Sequence, residues 1–289
     1  MGSDVERSAQ LKLRFWGVRG SYPTPGASTA RIGGNSVCME VEAGGVSLAF
    51  DAGTGLIALG QRLVKERTRG TVHVFLSHYH HDHIEGLRFF QPAYHPNWRT
   101  VVYGPALPGA RVEQALSLSM APPFFPVALH ELSGVVKLHS LHHGQEVRLG
   151  TKPAVKVRLF VSRAHPKLGV GLYRVECAGN RVVYATDIES ARGGLEDVVT
   201  LARGADVLVH DAQYTDEEYR DALRSRVGWG HSTVAMACEA ARLAGVRRLV
   251  LYHHDPSHDD ATMRALDRDA RRLFRASVIA REGMEIEVK

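Results

Sequence analysis

At 289 residues, with 44% hydrophobic and 23% charged positions, the chain has the apolar content of one large globular domain and not that of a disordered polymer. A formal charge of +5 suits a phosphorylated ligand, yet the basic residues are scattered, and pairs such as Arg247-Arg248 and Arg271-Arg272 read as solvated faces. Composition therefore argues against a nucleic-acid reader, which would show a basic stripe or a recognisable module. Residues 1–10 are polar, without the apolar centre of a secretory signal, and no run is long enough to span a bilayer. Cys38, Cys177 and Cys238 lie far apart and form neither a CxxC knuckle nor a disulfide framework. A cytoplasmic protein without a membrane anchor is expected.

In chain order, alternating or apolar runs predict strands at 11–16, 36–42 and 46–50, the last two joined by Ala43-Gly44-Gly45, which tolerates the positive φ of a hairpin. A helical spacing at 54–66 leads to a strand at 72–76. Between 91 and 150, Pro92, Pro96, Pro105, Pro108, Pro122, Pro123 and Pro126 break most patterns. Apart from a strand at 100–103 and a helix at 110–120, an irregular, lid-like excursion is expected there. Its Phe124 and Phe125 would either wall a pocket or anchor the loop to the core. Strands follow at 155–161, 171–177 and 181–185, the last pair turning at Ala178-Gly179-Asn180. The remainder alternates helices at 195–202, 215–223, 233–244 and 261–273 with strands at 207–209, 249–252 and 277–280. Ser232 is the expected N-cap of the helix at 233–244 and Gly245 its stop. No repeat or linker divides the chain, so a single domain over 1–289 is expected.

Sixteen histidines are present, and their placement matters more than their number. His78, His80, Asp82 and His83 follow directly on a predicted strand, where a loop can turn several side chains toward one point. Imidazole nitrogen and carboxylate oxygen are the donors a borderline divalent ion such as zinc binds. Four of them in six residues are hard to account for by packing or solvation alone.

The order His-x-His-x-Asp-His in His78-Tyr79-His80-His81-Asp82-His83 resembles the motif of the metallo-β-lactamase superfamily. That resemblance implies an α/β fold, a four-layered αβ/βα sandwich with a dinuclear metal site at one edge. Its other motifs match Asp51 after strand 46–50, His165 after strand 155–161, Asp187 after strand 181–185 and His253 after strand 249–252. Carried over, one ion would be held by His78, His80 and His165 and the other by Asp82, His83 and His253, with Asp187 bridging. His253 is preferred to His254 because it follows its strand directly, and His81 is expected to face solvent. Two divalent metal ions are implied, zinc first and manganese second. His80, where di-iron relatives carry Glu, argues against that branch.

Three further segments narrow the chemistry. Trp229-Gly230-His231-Ser232-Thr233 resembles the His-Ser-Thr element of the ribonuclease Z and cyclic phosphodiesterase branch, which implies that His231 protonates a leaving oxygen and Ser232 lies against substrate. His231 at a helix N-terminus suits a phosphate oxygen. His210-Asp211-Ala212-Gln213 resembles the His-Glu-Ala-Thr loop of ribonuclease Z, with Asp211 orienting His231. The Gly-rich stretch 15–21, which includes Arg19, and Gly33-Gly34-Asn35 would let backbone approach a phosphate. Arg19 and Phe125 are thus taken with Ser232 as substrate-binding candidates, and His231, Asp82 and Asp211 as catalytic ones. His165 and Asp187 are separated by little more than a hairpin, with no room for a tRNA-gripping arm. The expected function is therefore hydrolysis of a small or cyclic phosphodiester, with nucleic acid disfavoured and a homodimer compatible. A lactonase or thioesterase of the same fold, with Phe124 and Phe125 holding an acyl chain, is the alternative. A catalytically silent metal-binding regulator is the reading from another class.

Overall fold

The computed structural model describes residues 11–151 and 153–288, so the polar segment at 1–10 lies outside the described residues. The first half contains β1 (Leu11–Gly17), β2 (Cys38–Ala43), β3 (Val46–Phe50), α1 (Gly55–Glu66), β4 (Gly70–Phe75), α2 (His81–Ile84), α3 (Gln91–Tyr94), β5 (Trp98–Pro105), α4 (Val112–Ser119) and β6 (Val135–Leu141). The second half contains β7 (Glu146–Leu149), β8 (Val155–Ser162), β9 (Val170–Cys177), β10 (Asn180–Ala185), α5 (Gly194–Ala202), β11 (Val207–Asp211), α6 (Asp216–Tyr219), α7 (Val234–Ala244), β12 (Arg248–Tyr252), α8 (Asp260–Leu273), β13 (Ser277–Ile279) and β14 (Glu285–Val288).

Two seven-stranded sheets result, ordered β14-β1-β2-β3-β4-β5-β6 and β13-β12-β11-β10-β9-β8-β7. Alternation along the strands builds three apolar layers. Val182 and Tyr184 of β10, Val207 and Val209 of β11, and Val250 and Tyr252 of β12 meet Leu13, Phe15, Met39 and Phe50 of the first sheet in a central core. The intervening Val183, Leu208 and Leu249 face outward onto α5, α7 and α8. Because helices cover one face and the partner sheet the other, β10 to β12 are apolar at nearly every position, as parallel strands buried on both sides must be. Leu56, Leu59 and Leu63 of α1 pack with Val72, Val74 and Leu116 on the outer face of the first sheet. The result is the four-layered α/β sandwich expected.

β3 runs parallel to β4, and β10, β11 and β12 are mutually parallel, while β8 reaches the same direction through two antiparallel steps. Their C-terminal ends therefore carry the motif loops to sheet edges, where side chains can converge.

Three strands were not expected: β6, β7 and β14. β5 is also longer than predicted, so the irregular part of 91–150 shrinks to the connections around α3 and α4. The helix expected at 215–223 stops at Tyr219, because the Asp221 carboxylate accepts the backbone N–H of Leu223 (2.8 Å) and Arg224 (2.7 Å) and closes a turn instead. Thr233, not Ser232, caps α7, its hydroxyl accepting from the N–H of Met236 at 3.3 Å. Gly245 ends that helix in the left-handed conformation, φ 64°, as expected. All three cysteines are free and buried. No helix among the described residues is long and apolar enough to cross a membrane.

Candidate metal centre and acid–base pair

Six strand ends supply the site. Asp51 after β3, Asp187 after β10 and His253 after β12 all adopt positive φ (60°, 53° and 60°), which costs a non-glycine residue about 1–3 kcal/mol and is kept here where each chain must turn sharply toward one point. His78 to His83 follow β4, with Asp82 and His83 fixed on the single turn of α2. His165 follows β8 and Asp211 ends β11.

The donors converge in three linked groups, one of them formed by Asp187, His231 and His253. His78, His80, His165 and Asp187 offer ligand atoms within 4.8 Å of one another, as do Asp82, His83 and His253. His83 Nε2 lies 3.2 Å from both Asp82 Oδ2 and Asp187 Oδ2, and His253 Nε2 lies 3.2 Å from Asp187 Oδ2 and 3.5 Å from Asp82 Oδ2. On the other side, His78 Nε2 is 3.7 Å from Asp187 Oδ1, and His165 Nε2 is 3.4 Å from His80 Nδ1. His254 points elsewhere, with Nε2 2.9 Å from the carbonyl of Ala280. His81 is exposed.

Four of the inward rings, His78, His83, His165 and His253, are held from behind. His83 Nδ1 meets Asp51 Oδ2 at 2.8 Å, His253 Nδ1 meets Gln213 Oε1 at 2.8 Å, and His165 Nδ1 meets the Gly230 carbonyl at 3.2 Å. His78 Nδ1 meets Ser77 Oγ at 3.0 Å, and that hydroxyl donates to Asp51 Oδ2 at 2.9 Å. An acceptor behind Nδ1 places the ring proton there and leaves the Nε2 lone pair facing the cluster, the tautomer a metal ligand needs. The Nε2 atoms of His78, His83 and His253 are buried and without a hydrogen-bond partner. Buried polar atoms are rarely left so. Their orphaned state, the shared carboxylate and the mixed imidazole–carboxylate chemistry fit divalent ions.

Electrostatics divides the cluster. Burial, reinforced by neighbouring imidazoles and opposed by Asp187, lowers His78 and His80 and takes His165 down to about 4. These three are neutral, as ligands must be. Burial opposes charge at His253 as well, but Asp187, Asp82 and Asp211 overcome it and push this ring up to about 9. Burial would raise Asp82 and Asp187, yet the adjacent histidines hold both well below the usual carboxylate range. The carboxylate-rich half thus demands positive charge.

Beside the cluster, His231 Nδ1 meets Asp211 Oδ2 at 2.8 Å and stands 4.0 Å from Asp187 Oδ1. Asp211 is fully buried and also accepts from the N–H of Ser232 at 2.8 Å and of Asp187 at 3.1 Å. A carboxylate so held fixes the orientation of the imidazole, with Nδ1 toward Asp211 and the opposite ring edge free to face a substrate.

The three substrate-binding candidates are corrected. Arg19 is fully buried and donates to the carbonyls of Gly33 (2.8 Å), Asp255 (3.0 Å) and His258 (2.7 Å), so it braces loops. Ser232 is fully buried, its hydroxyl donating to the Ile188 carbonyl and accepting from the N–H of Ser190. Phe125 packs edge-on against Phe89, centroids 5.6 Å apart, on the outer core of the first sheet, which makes it an anchor. The N-terminal glycines likewise serve close chain packing: a Cβ on Gly17 would lie 1.9 Å from the Ser36 carbonyl oxygen, and one on Gly20 2.2 Å from the His253 ring.

Sequence reading missed Gln213, Ser77 and Glu189. Buried Glu189 accepts from the Tyr219 hydroxyl at 2.6 Å and from the N–H of Gly228 (2.7 Å) and Gly230 (2.9 Å), so it holds the loop that presents His231. Its place two residues after Asp187 was the one available signal.

Residues 47–254 match the family model described as "Beta-lactamase superfamily domain". A ribonuclease Z of Myxococcus xanthus is 30% identical, the alignment covering 96% of this chain and 98% of that protein. Among solved structures, the metallo-β-lactamase fold protein YhfI from Bacillus subtilis superposes with a TM-score of 0.68 at 21% identity, covering 96% of this chain and 99% of that one. Unliganded yeast PDE1 superposes with a TM-score of 0.69 at 13% identity, covering 97% and 99%.

Proposed function

From the membership of the chain in the β-lactamase superfamily, as a hydrolase of the metallo-β-lactamase fold with a candidate divalent-metal site, we propose that it is a dinuclear-metal phosphodiesterase acting on a small or cyclic diester. His78, His80 and His165 would hold one ion, Asp82, His83 and His253 the other, with Asp187 between them. Zinc suits this donor set best and manganese next. Bound divalent ions would supply an oxygen nucleophile at neutral pH and draw charge from the phosphoryl oxygens. The protein's own residues do the rest: Asp51, Ser77, Gln213 and the Gly230 carbonyl fix the rings, and Asp211 holds His231 toward the cluster to give a proton to the departing oxygen.

The observation that carries this reading is the His231–Asp211 pair at 2.8 Å, placed beside Asp187. Acyl transfer has weaker support, since Phe125 lies on the outer core. The test is a panel of bis(p-nitrophenyl) phosphate, 2′,3′-cyclic AMP, an acyl lactone and a tRNA with a 3′ trailer. Turnover of the first two and not the lactone is expected. The Myxococcus relative's name, ribonuclease Z, favours the second reading, RNA cleavage, and strong preference for the tRNA would install it. Full metal loading with no turnover of any member would leave the regulator. His231→Ala should lower kcat about 10²–10⁴-fold on diesters with poor leaving groups while metal content stays intact; loss of metal would refute the proton-donor role.

A further inference from the structure

A cavity of about 880 Å³ opens on the His165 side of the cluster, lined by Arg163, Lys167, Arg192, Glu189, Pro166 and Gly228 among others. Its charge is one-sided. Both oxygens of Glu189 are taken by Tyr219, Gly228 and Gly230, and the residue is 1% exposed, so its carboxylate is committed to holding the His231 loop. Arg163, Lys167 and Arg192 are exposed, and among the described residues none of the three has a carboxylate within salt-bridge distance. By contrast, Arg148 and Arg158 share Glu146, and Arg174 pairs with Glu176. Lys167 is presented by a tight turn at φ 68°, closed by the Leu168 N–H donating to the Pro166 carbonyl at 2.9 Å. Three unpaired cations thus border a space that begins at a candidate metal ligand, and no donor of the acid–base pair reaches it.

We propose that this cavity is a second phosphate subsite, in which Arg163, Lys167 and Arg192 bind a phosphate of the substrate other than the one cleaved. Guanidinium groups supply paired donors to phosphate oxygens and the ammonium a point charge. The inference rests on the phosphodiesterase reading above and narrows it: the favoured diester carries a further phosphate, as a phosphorylated dinucleotide does.

The zinc-loaded protein is assayed on ApA, pApA and ApAp. One of the two phosphorylated dinucleotides should be cleaved about tenfold better in kcat/KM than ApA, the size of one charge-assisted contact. Arg192→Ala or Arg163→Ala should bring that ratio toward 1, whereas Arg264→Ala, on the exposed side of α8, should leave it unchanged. Equal kcat/KM for all three dinucleotides, or equal loss of preference in Arg264→Ala, overturns the proposal. Should no diester be turned over, the phosphodiesterase reading falls and binding still decides the subsite. Adenosine 3′,5′-bisphosphate should bind about tenfold tighter than the 3′- and 5′-monophosphates, a difference that Arg192→Ala removes; equal binding overturns it.

Discussion

A methyl group on Gly20 would lie 2.2 Å from Cε1 and 2.3 Å from Nδ1 of His253, a ring already fixed by Gln213 and by its own left-handed backbone. Gly20→Ala must therefore displace the ring or the 17–21 loop. Metal affinity is expected to fall about 10–100-fold, the usual cost of disturbing the groups that aim a ligand; titration with a competing chelator reads this, and unchanged affinity would show that the ring has room to move. At the neighbouring position, burial takes His254 down to about 3 from its ordinary 6.5, with the Ala280 carbonyl accepting from its Nε2. The folded state then refuses a proton that the unfolded chain accepts below 6.5. The stability this neutral ring contributes is complete above pH 6.5 and declines as the pH falls from there toward 3. His254→Gln keeps a donor for Ala280 and cannot titrate. Its unfolding free energy should fall less steeply than that of the parent between pH 6.5 and 4, and parallel slopes would contradict the assignment.

Helix α7 carries two tasks at its N-terminus, divided between adjacent hydroxyls. Thr233 caps the helix through Met236 and also donates to Asp216 at 2.6 Å, tying α6 to it, while Ser232 turns back to Ile188 and Ser190. Thr233→Ala should cost about 1 kcal/mol in denaturant unfolding, the usual worth of an N-cap, with His231 still held by Asp211; an unchanged midpoint would place the cap elsewhere. The sequence pointed to Ser232 as the cap, although Thr233 beside it has the same capping chemistry. Only the path of the chain past Ile188 separates them. Strands show the same division. β8 to β12 were legible because helices and the partner sheet make them apolar in period or in run. β6 and β7 were not: in 135–150 they carry His139, Ser140, Glu146 and Arg148 among their apolar positions, as edge strands can when one side of the ladder meets solvent.

At the scale of the molecule, the candidate centre joins the two sheets: Asp51 and His78 to His83 come from the first, and His165, Asp187, Asp211 and His253 from the second. Ions that bind only the folded arrangement stabilise it by mass action, about 2.7 kcal/mol at a hundredfold excess over Kd. Removing metal with a chelator should lower the Tm by several degrees, and zinc should restore it; an unmoved Tm would mean that the cluster binds no ion strongly. The sequence by itself determined most strands and helices, because hydrophobic period is local, and the spacing of the donors, because four donors crowded into six residues after a strand suit a metal ion better than a core or a solvated loop; the fold class came through the resemblance those motifs carry. The sequence also pointed to His231 and Asp211 through a local resemblance. Tertiary structure alone decided what Arg19, Ser232 and Phe125 do, because burial and partner choice depend on chain segments up to 239 residues away, as in the bond from Arg19 to the His258 carbonyl. It also brought Glu189 behind the His231 loop and gathered Arg163, Lys167 and Arg192 around one cavity, which no linear spacing foretells.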